Sequence, residues 1–369
     1  MGLLLLIPLA VALLCWLSAW AMFRHLVKEN EHRQSVMRGT VEISVVIPAR
    51  NEEENLRRLL PALANQDYPF REIIVVDDES NDRTFSVAKE GGAKVVSGRK
   101  LPEGWNGKPW ALKQGREAAA GDWLLFLDAD TIPLPGFALE LVQLAQPGVS
   151  AISFCPYHRI ESCYENLSAF FQLSMVVGTN AFGWRGDRAP QIEFVGQCLF
   201  VRAEDYDRAG GHESVKAMVL ENFHLAHQFR SLGMQCRTYS GKNRIEMRMY
   251  PDGFTSMRNG WLKGFSSGAE STPAPALVSI SVWFTGLSIV IVSLVLLPFL
   301  PAVASAFSLV LYLLYAVQCA VFFRRTGNYS LLTAFMFPVT FLFFLAVFIH
   351  GCNRRARGAA SLWKGRDVA

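Results

Sequence analysis

The sequence predicts an α/β fold, an open and mostly parallel sheet, held between apolar segments at both ends of the chain. Three observations carry this. Residues 43 to 127 alternate short apolar, β-branched runs with helical periodicities, the β-α-β order of a parallel sheet. Three of the four runs end in polar clusters, where ligands of such sheets bind. The apolar residues, 51% of the 369-residue chain, gather at the ends, and only 18% are charged, against roughly 25% in an ordinary soluble domain.

Each element has its own signal. Ile43 to Ile47 is a strand closed by Pro48, and Glu52 to Asn65 is a helix with Leu56, Leu59, Leu60 and Leu63 on one face. Glu72 to Val76 is a second strand, Asp82 to Glu90 a short helix, and Ala93 to Val96 a third strand. Trp110 to Ala120 is helical, and Trp123 to Leu127 is a fourth strand running into Asp128.

The apolar ends read as membrane segments. Leu3 to Phe23 carries no charge, enough for one span at about 20 residues. No basic residue precedes it, while Arg24, Lys28, Arg33 and Arg38 follow, so residues 1–23 read as an uncleaved anchor with the following chain in the cytoplasm. Leu277 to Phe323 reads as two helices turning at Pro298 and Pro301. Leu331 to Asn353 is a third run with Pro338 as its expected break, re-entrant or spanning. The 277–353 region thus holds two or three spans. The basic 354–369 tail, with Arg354, Arg355, Arg357, Lys364 and Arg366, favours the cytoplasmic side. Asn166 to Trp184 is also charge-free but contains Asn, Gln, Ser, Thr and Gly. It reads as an interfacial helix on the bilayer, with a buried core helix as the alternative. The implied location is the cell membrane, multi-pass, with residues 41–275 as a cytoplasmic catalytic domain.

Charge excludes some partners. A net charge of +4 is small for this length, and Lys and Arg do not interleave with aromatics, so nucleic acid is not the expected partner. The cysteines form no C-x-x-C pair and read as small buried hydrophobes.

The strand-end clusters carry the chemistry. In Asp128-Ala-Asp130 alternate residues point to one side, so two carboxylates can converge on a hard cation. Mg²⁺ or Mn²⁺ on a diphosphate needs only one or two such ligands. Within Asp77-Asp78-Glu79-Ser80-Asn81-Asp82 one carboxylate suits the N3–H of a uracil, and others suit capping of the helix that follows. Gly107-Lys108 before a helix suits a phosphate or nucleotide, or a solvated loop lysine.

Taken together, Val45-Val-Ile-Pro-Ala-Arg-Asn-Glu-Glu53, Ile74-Val-Val-Asp-Asp-Glu-Ser-Asn-Asp82, Gly107-Lys-Pro-Trp-Ala-Leu112 and Phe126-Leu-Asp-Ala-Asp130 resemble the family 2 glycosyltransferases of the GT-A fold, a Rossmann-like nucleotide-sugar-binding domain. The resemblance implies that Ala49, Glu52, Asp77, Asp78 and Lys108 face the nucleoside of a UDP-sugar. It implies that Asp130 holds Mg²⁺ or Mn²⁺, with Asp128 between ribose and metal. Farther along, Pro156-Tyr-His158, Met175-Val-Val-Gly-Thr-Asn-Ala-Phe182, Gly210-Gly-His212, Arg248-Met-Tyr-Pro-Asp-Gly-Phe254, Gly260-Trp261 and Trp363-Lys-Gly-Arg366 look like the membrane-bound carotenoid glycosyltransferases. Those enzymes esterify a carotenoid carboxylate with glucose from UDP-glucose. The implied partners are a UDP-sugar donor, a membrane lipid or carotenoid acceptor, and the bilayer. The same resemblance implies that Arg248 neutralises the diphosphate and that Trp261 gates or contacts the acceptor.

The sequence departs from the family at one position. Many members carry a catalytic Asp in a Glu-Asp pair, and here the pair is Glu221-Asn222. Asn cannot take a proton, so the base role passes to Glu221 or is not needed. A hydroxyl acceptor must lose a proton as it attacks, whereas a carboxylate is already ionised at pH 7. The expected activity is inverting transfer of a hexose, glucose, to a lipid carboxylate, with Glu221 and Asp130 as catalytic residues. Alternatives are a glucosyltransferase for a ceramide, hopanoid, diacylglycerol or polyprenyl phosphate, and a non-catalytic scaffold that binds nucleotide sugar. His224, one turn after Glu221, can share its face.

Overall fold

The computed structural model describes residues 6–27, 40–186, 189, 193–218, 220–356, 361–363 and 366–368. The chain forms two compact units. One contains Met1–Asn30, Ile160–Pro190 and Tyr250–Ala359, the other Glu31–Arg159, Gln191–Met249 and Ala360–Ala369. In chain order the first elements are α1 (Leu6–Met22), α2 (Arg24–Val27), β1 (Ile43–Ala49), α3 (Glu53–Ala64), β2 (Glu72–Asp77), α4 (Thr84–Glu90), β3 (Lys94–Ser97), α5 (Gly107–Ala118) and β4 (Trp123–Leu127). They are followed by β5 (Thr131–Pro133), α6 (Phe137–Leu144), β6 (Val149–Cys155), β7 (Tyr157–His158), α7 (Ala169–Gly178), β8 (Cys198–Arg202), α8 (Ala203–Arg208), α9 (Glu221–Ser231), β9 (Gln235–Ser240) and β10 (Ile245–Met247). The remaining helices are α10 (Phe254–Ser271), α11 (Ala274–Val295), α12 (Ala302–Thr326), α13 (Leu331–Phe335) and α14 (Phe337–Ala356).

The α/β unit is built on a seven-stranded sheet of order β3-β2-β1-β4-β8-β6-β9. The β3-β2-β1-β4 half is parallel, as its β-α-β sequence pattern requires. The other half is mixed: β8 runs antiparallel to β4 and β6, while β9 is parallel to β6. Both faces of the sheet are covered, which is why its strands read as continuous apolar runs. Val45, Ile47 and Leu125 pack under Leu56 and Leu60 of α3 and Phe137 and Leu141 of α6. Val46, Leu124 and Phe126 pack under Leu112 of α5 and Leu225 and Phe229 of α9. The chain winds outward from β1 to β3 and then crosses to β4 on the other side of β1. The carboxyl ends of β1 and β4 therefore flank the crevice at which such sheets bind ligands.

Two helix starts differ from the sequence reading. The helix expected from Asp82 starts at Thr84, because the Asp82 carboxylate caps it, accepting from the Thr84 N–H at 3.0 Å. The helix expected from Trp110 starts at Gly107, so Lys108 lies on its first turn, and Pro109 is tolerated there because first-turn N–H groups need no helical partner. A second sheet of order β5-β10-β7 stands at the end of β4, with Met247 of β10 opposite Thr131 of β5.

The other unit is helical. Among the described residues α11, α12 and the Phe337–Arg354 part of α14 are long and apolar enough to cross a membrane. The α1 helix is shorter, 17 residues, and residues 1–5 of the expected anchor lie outside the described residues. Polar side chains tie α1 to its neighbours. The Tyr315 hydroxyl donates to Ala12 O at 2.8 Å, Gln318 Nε2 to Trp16 O at 2.8 Å, and Trp16 Nε1 to Leu314 O at 3.0 Å. The expected turn between α11 and α12 is present, with Pro301 at the N-cap of α12. The third apolar run breaks at Met336, and Pro338 sits in the first turn of α14, where its missing N–H costs nothing.

Within the 166–184 segment, read from sequence as an interfacial helix or a buried core helix, the structure has one α-helix. That helix, α7, buries Phe170, Phe171, Leu173, Val176 and Val177 among α11, α12 and α14. Gln172 is buried with them. The basic residues Lys28, Arg33, Arg38, Arg357 and Lys364 lie outside the described residues.

Candidate active site

The loops after β1 and β2 form one laced structure. The Asp78 N–H donates to Ala49 O at 2.8 Å, and Arg50 Nη1 donates to Asp78 O at 3.0 Å. The Asn51 N–H donates to Ser80 Oγ at 2.9 Å, Asn51 Oδ1 accepts from the Asn81 N–H at 2.8 Å, and the Glu52 N–H donates to Thr84 Oγ1 at 2.8 Å. Asp77 accepts from the Ser80 N–H at 3.2 Å. Asn51 and Glu79 both take φ of 54°, a left-handed conformation that asparagine tolerates and that is uncommon for glutamate. Much of the acidic cluster thus shapes the loop. Ala49, Glu52, Asp77 and Asp78 come together on this preformed wall.

The opposite wall is the end of β4. The Asp128 N–H donates to Gln197 O at 3.0 Å, and Thr131 returns to Asp128 O through its N–H at 3.1 Å and its hydroxyl at 2.7 Å. Lys108 reaches across from the first turn of α5. Its Nζ lies 2.7 Å from Asp128 Oδ1 and 2.9 Å from Oδ2, donates to Gly196 O at 3.4 Å, and stands 3.7 Å from Glu221 Oε1. Burial works against the charge on Lys108, but Asp128 and Glu221 more than offset it, and the ammonium is held well above the ordinary lysine value.

Glu221 opens α9 and is buried, with Asn222 Nδ2 donating to its Oε1 at 2.8 Å. Burial raises the Glu221 carboxyl above the usual range, and Lys108 opposes that rise. Asp130 is half-buried, and desolvation together with the Asp128 and Glu52 carboxylates pushes its carboxyl up to about 7. Its Oδ1 has no hydrogen-bond partner. A buried, unpaired carboxylate oxygen beside a second carboxylate is a hard-cation donor set, and Mg²⁺ or Mn²⁺ on a diphosphate needs no third protein ligand. No cluster of three or more metal-ligating side chains occurs among the described residues. The residues present therefore fit a metal that arrives with phosphate oxygens and not a fully protein-ligated ion.

Arg248 follows Met247, whose partner across the small sheet is Thr131, so the register sets Arg248 at the level of Asp130. Trp261 belongs to the other, helical unit, where its Nε1 donates to Ser168 Oγ at 2.9 Å and its ring stacks on Phe171 at 4.8 Å. His224 is exposed, so it does not share the buried face of Glu221.

Sequence reasoning missed Gly196. A Cβ there would lie 1.9 Å from Asn222 Nδ2, so only glycine leaves room for the amide that holds Glu221. Its one signal is a glycine just ahead of the apolar run Cys198–Arg202.

Comparison with known proteins identifies the family. Residues 44–189 match the family model for glycosyl transferase family 2, and residues 123–347 match that for glycosyl transferase family group 2. The 4,4'-diaponeurosporenoate glycosyltransferase of Staphylococcus aureus (strain MRSA252) is 34% identical over 332 residues, covering 89% of this chain and 88% of that protein. The mannosyltransferase PcManGT of Pyrobaculum calidifontis, solved in complex with GDP-Man and Mn²⁺, superposes with a TM-score of 0.55 at 17% identity, over 94% of this chain and 99% of that one. The GT-A fold and these matches together establish that the chain is an enzyme belonging to glycosyltransferase family 2.

Proposed function

We propose that this enzyme is an inverting transferase that moves glucose from UDP-glucose to the carboxylate of a membrane-embedded carotenoid acid. The observation that carries the acceptor is the Glu221–Asn222 pair. Asn222 is a hydrogen-bond donor to Glu221 and has no basicity of its own. A carboxylate acceptor needs no base: its oxygen bonds to the anomeric carbon, the bond to the diphosphate oxygen breaks, and the electron pair leaves with UDP. A hydroxyl acceptor would have to shed a proton, and Glu221 would be the group to take it. The relative at 34% identity, named for a carotenoid carboxylate, supports the same acceptor.

The donor reading assigns the laced loops, with Ala49, Glu52, Asp77 and Asp78, to the nucleoside. Asp130 and Asp128 would hold Mg²⁺ or Mn²⁺, which stabilises the charge that develops on leaving UDP. Lys108 and Arg248 bring positive charge to the same diphosphate. The acceptor reaches the catalytic unit from the bilayer, since a polyene acid is nearly insoluble in water. The catalytic unit then faces the cytoplasm, where Arg324 and Arg325 close α12.

The test is UDP release by the purified protein in detergent with UDP-glucose and Mg²⁺ or Mn²⁺, offered a carotenoid acid, a ceramide or no acceptor. Release with the carotenoid acid alone, lost in Asp130→Ala, supports the reading. Equal release with ceramide removes the carboxylate acceptor, and no release with any lipid removes the donor as well.

A further inference from the structure

Lys108 sits where an ammonium and a divalent ion compete for one carboxylate. Its Nζ engages both oxygens of Asp128, at 2.7 and 2.9 Å, and leans toward Glu221 at 3.7 Å. Asp130, by contrast, keeps a buried Oδ1 with no partner. The two acids of Asp128-Ala-Asp130 are therefore not equivalent: one is open and the other is already neutralised. A divalent ion that takes Asp128 must share it with a positive charge or push that charge away. Among the described residues its other close contacts are Glu221 and the Gly196 carbonyl, the latter long at 3.4 Å, with Asp130 acting on it through charge alone. A nucleoside diphosphate changes this balance, because its oxygens give the ammonium and the metal separate anionic partners.

We propose that Lys108 makes metal binding conditional on the donor: the ammonium holds Asp128 in the free protein and passes to the diphosphate when metal and nucleotide are both present. This rests on the nucleotide-sugar reading above and adds to it a coupling role for one side chain. Coupling of this kind is reciprocal, so UDP and metal each raise the affinity of the other by the same factor.

The experiment is a Mn²⁺ titration of the full chain in detergent, following the paramagnetic resonance of free Mn²⁺, with and without saturating UDP. In the wild type, UDP tightens Mn²⁺ by about fivefold or more, the low end of ordinary coupling between sites. Lys108→Gln tightens Mn²⁺ without UDP by a similar factor and does not tighten it further than wild type with UDP. Lys108→Arg keeps the charge and stays weak without UDP. The proposal is overturned if Lys108→Gln leaves the UDP-free affinity unchanged or lower. A wild-type affinity that UDP does not alter overturns it without any variant. If the wild type binds no Mn²⁺ even with UDP, the metal–nucleotide reading itself fails and this inference falls with it.

Discussion

Replacing Gly196 by alanine should damage the site from a residue that need not touch substrate. The new Cβ would stand 1.9 Å from Asn222 Nδ2 and 2.6 Å from Asn222 Cγ. Ordinary van der Waals contact needs about 3.5 Å, so the Asn222 amide must move by more than an ångström. Its 2.8 Å bond to Glu221 Oε1 does not survive that movement. A hydrogen bond to a charged group contributes about 1.5–3 kcal/mol. In a protein of this size, at about 2.1 cal/mol/K of unfolding entropy per residue, that is a fall in melting temperature of roughly 2–4 °C, accompanied by slower UDP release. Asn222→Ala removes the same bond and also makes room for the methyl. Adding Gly196→Ala to Asn222→Ala should therefore cost much less than Gly196→Ala costs alone, a coupling that a double-mutant cycle reads directly. Equal costs in the two backgrounds, or a single variant that melts and turns over like wild type, would refute the reasoning.

Other perturbations probe the remaining parts. Asp130→Asn should lower transfer by roughly 10²–10³-fold and abolish UDP-dependent Mn²⁺ binding; retention of either contradicts the metal assignment. Burial holds the His158 and His212 imidazoles down at about 3, against about 6.5 in an unfolded chain. The unfolded state then binds more protons between those values, so stability is intact above about pH 6.5 and is lost as pH falls below it, by roughly 1.4 kcal/mol per pH unit for each histidine. His212→Gln should lower the acid-side slope of a denaturation series by one such share, and an unchanged slope contradicts it. In the helical unit Tyr315→Phe removes the 2.8 Å bond to Ala12 O and should cost about 0.6–2 kcal/mol in detergent unfolding. Gly286→Val should cost more, because a Cβ there would lie 1.9 Å from the Tyr315 hydroxyl and 2.6 Å from Cys15 Cβ.

Much was legible in the amino acids because the parallel strands are buried on both faces. That burial writes itself as apolar runs at Val45–Ala49, Ile73–Val76 and Trp123–Leu127, and the polar residues after each run mark the ligand edge. The crevice, its carboxylates and the apolar helices follow from local pattern. Pairing does not. That Asp128 is bound to Lys108 while Asp130 keeps an open oxygen depends on α5 crossing β1 to reach the end of β4. Asn222 turning onto Glu221 depends on a glycine 26 positions earlier in the chain. The same holds in the helical unit, where the packing of α7 among α11, α12 and α14 is set by segments far from it in sequence. Chemistry carried by a run of neighbours can be read along the chain. Charge pairing, close approach and burial are decided between segments far apart in sequence, and only the tertiary fold brings them into contact.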